Sequence, residues 1–517
     1  MGGTHYGRYS KISDEETWNL IVSDGWAVPY AGYANVLTLA SGSVGRGLYA
    51  SYRANIMTAV IGSAFYVITA NATTGILSAS GVVGTLATNT GDVYMAENNG
   101  GQIVITDGVH VYVYNYNTFA FVTLSSTDFP FPSPGYVSFQ NGHIIIASGG
   151  TTNWVLSAEN DATMWSNTAQ FVGSLQSKPD FIQAAVPMPG GGNNILIFGR
   201  NVAELWQDVG AALFPYQRAS TFNVDYGCIN PASIASLKNY VVWIAVNEQS
   251  GPVLMVATGN SIEPISTDGI DFKLGNLTDP TNCTGFLYQQ DGHLLYQFTF
   301  PTDNLTYAFD FETKLFFCVS DENLNYHIAR QIVYYNDTYY FVSLNGGNIY
   351  EFDTLYSDAD YGAGNVFTIP RIRITPPLRL PTQRPFIVKS AGFTIENGLE
   401  NTITNNIIYS DVNEILDTES GLNILCENGD ILCTEQDVSE TPIAYTNTSS
   451  SAVFLSTSRD GAVTFGSEWR LDMNPTAYRK SRFLWQRLGR ANDITFQFRF
   501  EGLTRFTFTN GTIELYE

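Results

Sequence analysis

Residues 286–311 read FLYQQDGHLLYQFTFPTDNLTYAFDF. An apolar run over 286–290 meets Asp291-Gly292, a second run over 293–300 follows at once, and a third over 307–311 returns after Pro301. Asp-Gly or Asn-Gly between apolar runs is a strong short-range hairpin signal, because both central positions of a type I′ turn need φ > 0. The same unit recurs on both sides. It appears at 93–96, 102–106 and 110–114 around Asp107-Gly108, and at 136–139 and 143–147 around Asn141-Gly142. It returns at 195–198 and 202–206, at 240–246 and 253–257, and at 331–335, 338–343 and 348–352 around Asn336-Asp337 and Gly346-Gly347. Residues 47–70 supply one earlier copy. Corresponding strands return roughly every 40–50 residues, the period of a four-stranded propeller blade. The fold class is therefore all-β, with a β-propeller-like main domain. Two stacked sandwiches would carry a similar rhythm.

The rhythm breaks near Pro370. Residues 371–385 read RIRITPPLRLPTQRP, too rich in proline for a central strand. Residues 396–450 are polar and acidic, with an internal echo between Asn423-Ile-Leu-Cys and Asp430-Ile-Leu-Cys. Alternation resumes near Ala452 and runs to the end. The expected organisation is an extended N-terminal segment (1–46) and a propeller over 47–370, completed by 450–468. A Pro/Arg-rich crossover with a hairpin-rich insertion (371–449) and a C-terminal β segment (469–517) follow, forming an additional small β platform.

Composition agrees with short strands and tight turns: 46 Gly, 30 Tyr and 32 Phe in 517 residues, and only 14% charged residues. The formal charge is −23, from 25 Lys and Arg against 48 Asp and Glu, which argues against a surface that grips phosphates broadly. It fits a wall past which DNA slides, and it equally fits a large protein kept soluble by charge. No run of about 18 apolar residues occurs, so no spanning helix and no membrane partner are expected. The first sixteen residues, MGGTHYGRYSKISDEE, lack the pattern of a secretory signal. The five cysteines are scattered without metal or redox spacing, as reduced thiols of a cytoplasmically assembled protein would be.

Reactive constellations are scarce. No HExxH, GxSxG, P-loop or strand-to-helix GxGxxG is present, so no catalytic, cofactor or metal residues are assigned. His143 and His293 follow their Gly as first strand residues and read as partners of neighbouring turns; His5, His110 and His327 are isolated. Ser458-Arg-Asp460-Gly-Ala-Val-Thr464-Phe465 resembles an Asp-box, in which a carboxylate caps turn N–H groups and an aromatic anchors the hairpin. Ala462 stands where the box carries Gly. Sialidases carry such boxes on propellers, away from their active sites, and would further need an arginine cluster with Tyr and acidic partners that nothing here singles out. Two basic clusters do stand out: Arg371, Arg373, Arg379, Arg384 and Lys389, then Arg470, Arg479, Lys480, Arg482, Arg487 and Arg490, the latter interleaved with aromatics that include Trp485. Arginine beside aromatic residues favours protein interfaces, so docking to an acidic partner subunit is expected at Arg371, Arg373, Arg470, Arg479, Lys480, Arg482, Trp485, Arg487 and Arg490. Solvated strand faces and contact with DNA phosphates are the alternatives.

The C-terminal run from Phe454 to Glu468, then Tyr478-Arg-Lys-Ser-Arg-Phe-Leu-Trp-Gln-Arg-Leu-Gly-Arg490, closely resembles the packaged-DNA stabilisation proteins of lambdoid short-tailed bacteriophages. Further matches follow in order: Gly45-Arg-Gly47, Lys178-Pro-Asp180, Phe198-Gly199 with Ala203-Glu-Leu-Trp206, Tyr226-Gly-Cys228, Pro264-Ile-Ser-Thr267 with Gly269-Ile270, and Asp291-Gly-His293 with Phe300-Pro301. The resemblance covers most of 45–370 and 450–517, but neither 396–450 nor the extreme N-terminus. It implies a non-enzymatic virion protein, the tail hub or nozzle of a podovirus, assembled in the host cytoplasm. Such subunits form a homohexameric ring beneath the portal and its adaptor, the head-to-tail connector, and stabilise packaged DNA until ejection. They also carry the tail needle and the tailspikes or fibres, while DNA passes the lumen without sequence-specific contact. A receptor- or glycan-binding tail protein, which would need an aromatic-lined pocket, and a tail glycosidase are the rival readings.

Overall fold

The computed structural model describes residues 2–7, 14–190, 192–211, 214–259, 261–353, 358–400, 414–415, 433–434, 451–473, 480–502, 504–508 and 511–516. Among them, seven sheets of about four strands follow one another along the chain: blade 1 (45–85), blade 2 (94–123), blade 3 (134–174), blade 4 (182–224), blade 5 (235–264), blade 6 (284–318) and blade 7 (329–353). Their turns follow from the residues that make them. Asn141 and Gly142 have φ +50° and +88°, and Asp291 and Gly292 have +48° and +90°, the geometry that matches the right-handed twist of the flanking strands.

Inner strands are covered on both faces by neighbouring blades, so their sequences are apolar without alternation. All eight residues of His293–Phe300 are buried, whereas the outer strands Ala120–Thr123 and Ser261–Pro264 are mostly exposed. Seven hydrophobic clusters lie between consecutive blades. Val60 and Ile103 pack blade 1 on blade 2; Val113 and Ile144 pack blade 2 on blade 3; Trp154 and Trp206 pack blade 3 on blade 4. Phe198 with Trp243, then Ile244 with Phe298, then Leu295 with Phe341 continue the series, and Val342 with Met57 brings blade 7 back against blade 1. The ring is closed. One eight-residue helix, Asp268–Gly275, is capped by the Thr267 hydroxyl, which accepts from the Ile270 N–H, and sits between blades 5 and 6.

Closure differs from expectation. The fourth strand of blade 7 is Gly32–Thr38, which pairs antiparallel with Asn348–Asp353 over six residues, Gly32 opposite Asp353 and Thr38 opposite Asn348. Segment 450–468 does not complete the propeller: Ala452–Ser458 pairs with Thr495–Glu501 and Trp469–Asp472. Nor is 1–46 an extended appendage. Glu16–Trp18 lies between Phe316–Cys318 of blade 6 and Arg371–Ile374, while the hairpin Leu20–Ser23 and Trp26–Pro29 joins the C-terminal domain.

That domain is a β-sandwich. Its first sheet continues blade 6 through Glu16–Trp18, Arg371–Ile374, Thr495–Glu501, Ala452–Ser458 and Trp469–Asp472. The second runs from Leu20–Ser23 through Trp26–Pro29, Thr504–Phe508 and Phe386–Glu400 to Lys480–Ala491, with Thr512–Tyr516 pairing part of Phe386–Glu400. Phe393, Val453, Leu455, Phe483, Trp485, Phe496, Phe500 and Phe508 fill the space between the sheets. Segment 371–449 is thus not simply a crossover with an insertion. Arg371–Ile374 is a central strand, paired on both sides, because the prolines begin only at Pro376. Likewise 469–517 is no separate platform, since its strands need partners from the N-terminus, 371–400 and 452–458. Within the expected insertion, Glu414–Ile415 pairs with Cys433–Thr434, and the rest of 401–450 lies outside the described residues.

Candidate functional site

The expected interface residues separate into three groups. Arg371 and Arg373 are interior and do not dock anything. Arg371 is fully buried, its guanidinium donating to the Ile369 carbonyl at 3.0 Å. Burial pushes it down to about 10 and pushes the nearby Asp358 carboxyl up to about 7, with Arg371 opposing the latter shift. The Arg373 guanidinium is held by Glu15, by the Thr17 hydroxyl at 2.7 Å and by the Gly3 carbonyl at 3.2 Å. Trp485 is a core residue, buried against Phe393 and Phe498, with its indole N–H donating to the Trp469 carbonyl at 3.1 Å. A period of two explains the misassignment: along Arg482-Phe-Leu-Trp485, aromatics and cations occupy opposite faces of one strand.

The second group stays exposed on Lys480–Ala491. Lys480 pairs with Glu396 at 2.7 Å. Arg482, Arg487 and Arg490 are exposed and meet no carboxylate among the described residues. Opposite Arg490 lies Ile387, and opposite Ile387 on its other side lies Tyr516, both about half exposed. Basic and apolar groups therefore share this outer face. Arg470 belongs to the other sheet, where it pairs with Asp472 at 2.7 Å, both side chains being exposed, an arrangement that contributes little to stability. Arg479 lies outside the described residues.

The Asp-box-like turn forms the third group. The Asp460 carboxylate accepts from the Ser458 hydroxyl at 2.6 Å, the Thr464 hydroxyl at 2.6 Å and the backbone N–H groups of Val463 and Thr464. These bonds, Ser458 first, hold its carboxyl well below the usual carboxylate range. Ala462 takes φ +65°, the conformation for which the motif carries Gly. Phe465 is half-exposed and joins none of the hydrophobic clusters, so the aromatic does not anchor the turn.

Two features escaped the sequence. The first strands of the blades converge on an axial cavity of about 100 Å³ lined by Arg46, Asp92, Tyr94, Tyr136, Thr284 and Arg330. Arg46, 1% exposed, donates to the carbonyls of Gly91, Gly62 and Thr88 and to the Thr88 hydroxyl, and Arg330 pairs with Asp92 at 2.5 Å. Gly45-Arg-Gly47 was its one local signal. The second is a cleft of about 470 Å³ between blades 3 and 4, lined by Gln176, Trp206, Phe214, Tyr216 and Arg218.

Histidines serve the frame. His143 Nδ1 lies 2.8 Å from the Ser157 carbonyl, and His293 Nδ1 lies 2.8 Å from Asp310, whose carboxylate also accepts from the Glu312 N–H and the Thr313 hydroxyl of the next turn. His327, enclosed by Tyr33, Phe341 and Phe352, is pushed by burial down to about 3. Among the described residues, no group of three or more His, Cys, Asp or Glu could hold a metal ion. Cys228, Cys283 and Cys318 are buried thiols that burial pushes up, Cys228 and Cys318 to about 12.

Solved structures with similarity include the extracellular domain of a one-component system from B. thetaiotaomicron (11% identity, TM-score 0.41, covering 62% of this chain and 39% of that one). Others are U3-55K (9%, 0.38, 62% and 98%) and a chain of the mitotic checkpoint complex (12%, 0.39, 62% and 90%). No curated protein matches the sequence. Two family models do match: one described as phage stabilisation, bacteriophage P22 Gp10, β-propeller, over residues 16–366, and one described as bacteriophage P22 Gp10, β-sandwich, over 427–516. The chain, a closed propeller stitched to a β-sandwich, belongs to the P22 Gp10 phage-stabilisation family of phage tail structural proteins.

Proposed function

We propose that this chain is a tail hub of a short-tailed phage, a non-catalytic block that caps and extends the portal–adaptor channel and keeps packaged DNA in the head until ejection. In this reading it assembles in the host cytoplasm as a homo-oligomeric ring, six copies by family analogy, docks to the connector, and presents the needle and the tailspikes or fibres. The family match across both domains carries it. The axial cavity adds a constraint. About 100 Å³, filled out by Arg46, Arg330 and two tyrosines, is far too small for duplex DNA, whose major groove alone is about 12 Å wide. A DNA lumen in this reading therefore lies between copies, with each propeller a solid wall segment. Docking falls to Arg482, Arg487 and Arg490, exposed cations that meet no carboxylate among the described residues, on a chain of charge −23.

The test is assembly of purified chain onto DNA-filled heads that carry portal and adaptor. The Arg482→Glu/Arg487→Glu variant is expected to stay folded but fail to join, leaving heads that lose DNA. Normal joining by this variant would remove the docking role, and failure of the native chain to join such heads at all would overturn the hub. A second reading, glycan binding, is favoured by the aromatic-edged cleft between blades 3 and 4. Saturation-transfer NMR with host surface glycans separates the two.

A further inference from the structure

Lys480–Ala491 is the last strand of its sheet. It pairs with Phe386–Glu400 on one side through ten register positions, and among the described residues no strand pairs its other side. Its C-terminal half is closed to any newcomer. A bulge interrupts the register between Val388 and Ser390, Arg487 and Gly489 take φ +60° and +89°, and the Arg459 guanidinium donates to the Leu488 carbonyl at 2.7 Å. Residues 482–486 are left, a straight edge about 17 Å long.

An edge this long invites pairing with another strand, and charged residues are the usual deterrent. Here the charge is not a lone deterrent. Lys480 and Lys389 are neutralised by Glu396 and Glu514, whereas Arg482, Arg487 and Arg490 meet no carboxylate among the described residues, and they bracket the free stretch at both ends. Half-buried Leu484 lies between them, and Ile387 and Tyr516 extend an apolar strip beside them. A second copy of the same edge would bring its arginines beside these, which disfavours self-pairing. Duplex DNA would satisfy the arginines but leave the backbone edge and Leu484 unused.

We propose that the edge at 482–486 takes an extended acidic segment of a partner protein by strand addition, main-chain pairing supplying affinity and the three arginines selecting the charge. This rests on the docking reading and specifies its partner chemistry. The probe is a fluorescent peptide of alternating Val and Glu, added to the full chain at low salt and followed by anisotropy. We expect saturable binding, a loss of about ten-fold or more when Arg482, Arg487 and Arg490 are replaced by Glu, and a similar loss when alternate peptide amides are N-methylated. Unchanged far-UV circular dichroism and melting verify that the triple variant is folded. The proposal is overturned by no binding, by equal binding of the N-methylated peptide, or by preference for a short duplex DNA. It is also overturned if binding appears only after 401–450 is deleted. That stretch holds nine Asp or Glu and no Lys or Arg, and would then be the occupant. None of these outcomes bears on whether the chain sits in the tail, which the assembly assay reads separately.

Discussion

Closure of the propeller by Gly32–Thr38 makes Tyr33 a residue on which the ring depends. Its ring is 0% exposed and meets His327, Phe341, Tyr350 and Tyr361 edge-to-face, with centroids 5.3, 5.7, 5.5 and 5.9 Å away. Its hydroxyl lies 3.0 Å from that of Tyr361, which donates onward to Glu322 at 2.7 Å, so Tyr33 is the donor of the first bond. Burying about 200 Å² of aromatic surface at about 25 cal/mol per Å² gives about 5 kcal/mol, the upper end of what large-to-small core replacements cost. Tyr33→Ala is therefore expected to destabilise the propeller by about 4 kcal/mol. Tyr33→Phe, which removes only the hydroxyl, should cost about 1 kcal/mol. Met164→Ala, at a site 63% exposed, serves as control and should stay within about 0.5 kcal/mol. Urea unfolding followed by tryptophan fluorescence measures all three, and hydrogen exchange in 338–353 should rise in Tyr33→Ala before exchange in blades 2–4. If Tyr33→Ala unfolds at the control's midpoint, or loosens every blade equally, the ring is not closed by this strand.

Three further outcomes follow from local chemistry. Ala462→Gly should stabilise the sandwich by about 1 kcal/mol by relieving the φ of +65°, read as a higher melting midpoint; no gain would mean the turn carries no strain. Arg46→Leu should cost at least about 3 kcal/mol in chemical denaturation, since three carbonyls lose their donors, and Arg46→Lys should recover only part because an ammonium cannot span the same fork. His327 is neutral in the fold down to about pH 3 while the unfolded imidazole takes a proton below about 6.5, so the unfolded state binds more protons in that window and stability falls with pH by about 1.4 kcal/mol per unit. In His327→Gln the slope of unfolding free energy between pH 6 and 4.5 should drop by that amount, and an unchanged slope would refute the assignment.

What could be read from the sequence was whatever is local. Asn141-Gly142 and Asp291-Gly292 announce their turns because two adjacent residues determine the backbone there, and runs such as His293–Phe300 announce burial on both faces. Gly32–Thr38 announces nothing. Its partner lies more than 300 residues away, no turn residue links the two, and only Tyr33 and the register of blade 7 select it. The basic clusters misled for a related reason. Charge counted along the chain ignores the face on which each side chain lies, so buried Arg371 and Arg373 looked like Arg482 and Arg487, and Trp485 looked exposed because its neighbours are. Alternation over 480–485 held the signal that separates them.

The burial of Arg373 changes its role from attachment to cohesion. Glu16–Trp18 meets blade 6 in parallel at a single register position, Trp18 opposite Cys318, and meets Arg371–Ile374 at three. On backbone pairing alone this is the weakest seam in the nine-stranded sheet that joins propeller to sandwich. Asn19 reinforces it, its N–H donating to the Cys318 carbonyl and its side-chain amide donating to the Ser320 hydroxyl and the Pro370 carbonyl, while on the other side of Glu16–Trp18 Arg373 gathers Glu15, Thr17 and Gly3 around one guanidinium. The N-terminus then runs on through the sandwich hairpin to close blade 7. One continuous stretch thus fastens blade 6, the sandwich and blade 7 in turn, and separating the two domains requires breaking a partly buried ion pair and a continuous sheet. In the tail-hub reading proposed above, that coupling lets a load on the sandwich pass into the inter-blade cores instead of being carried by a hinge.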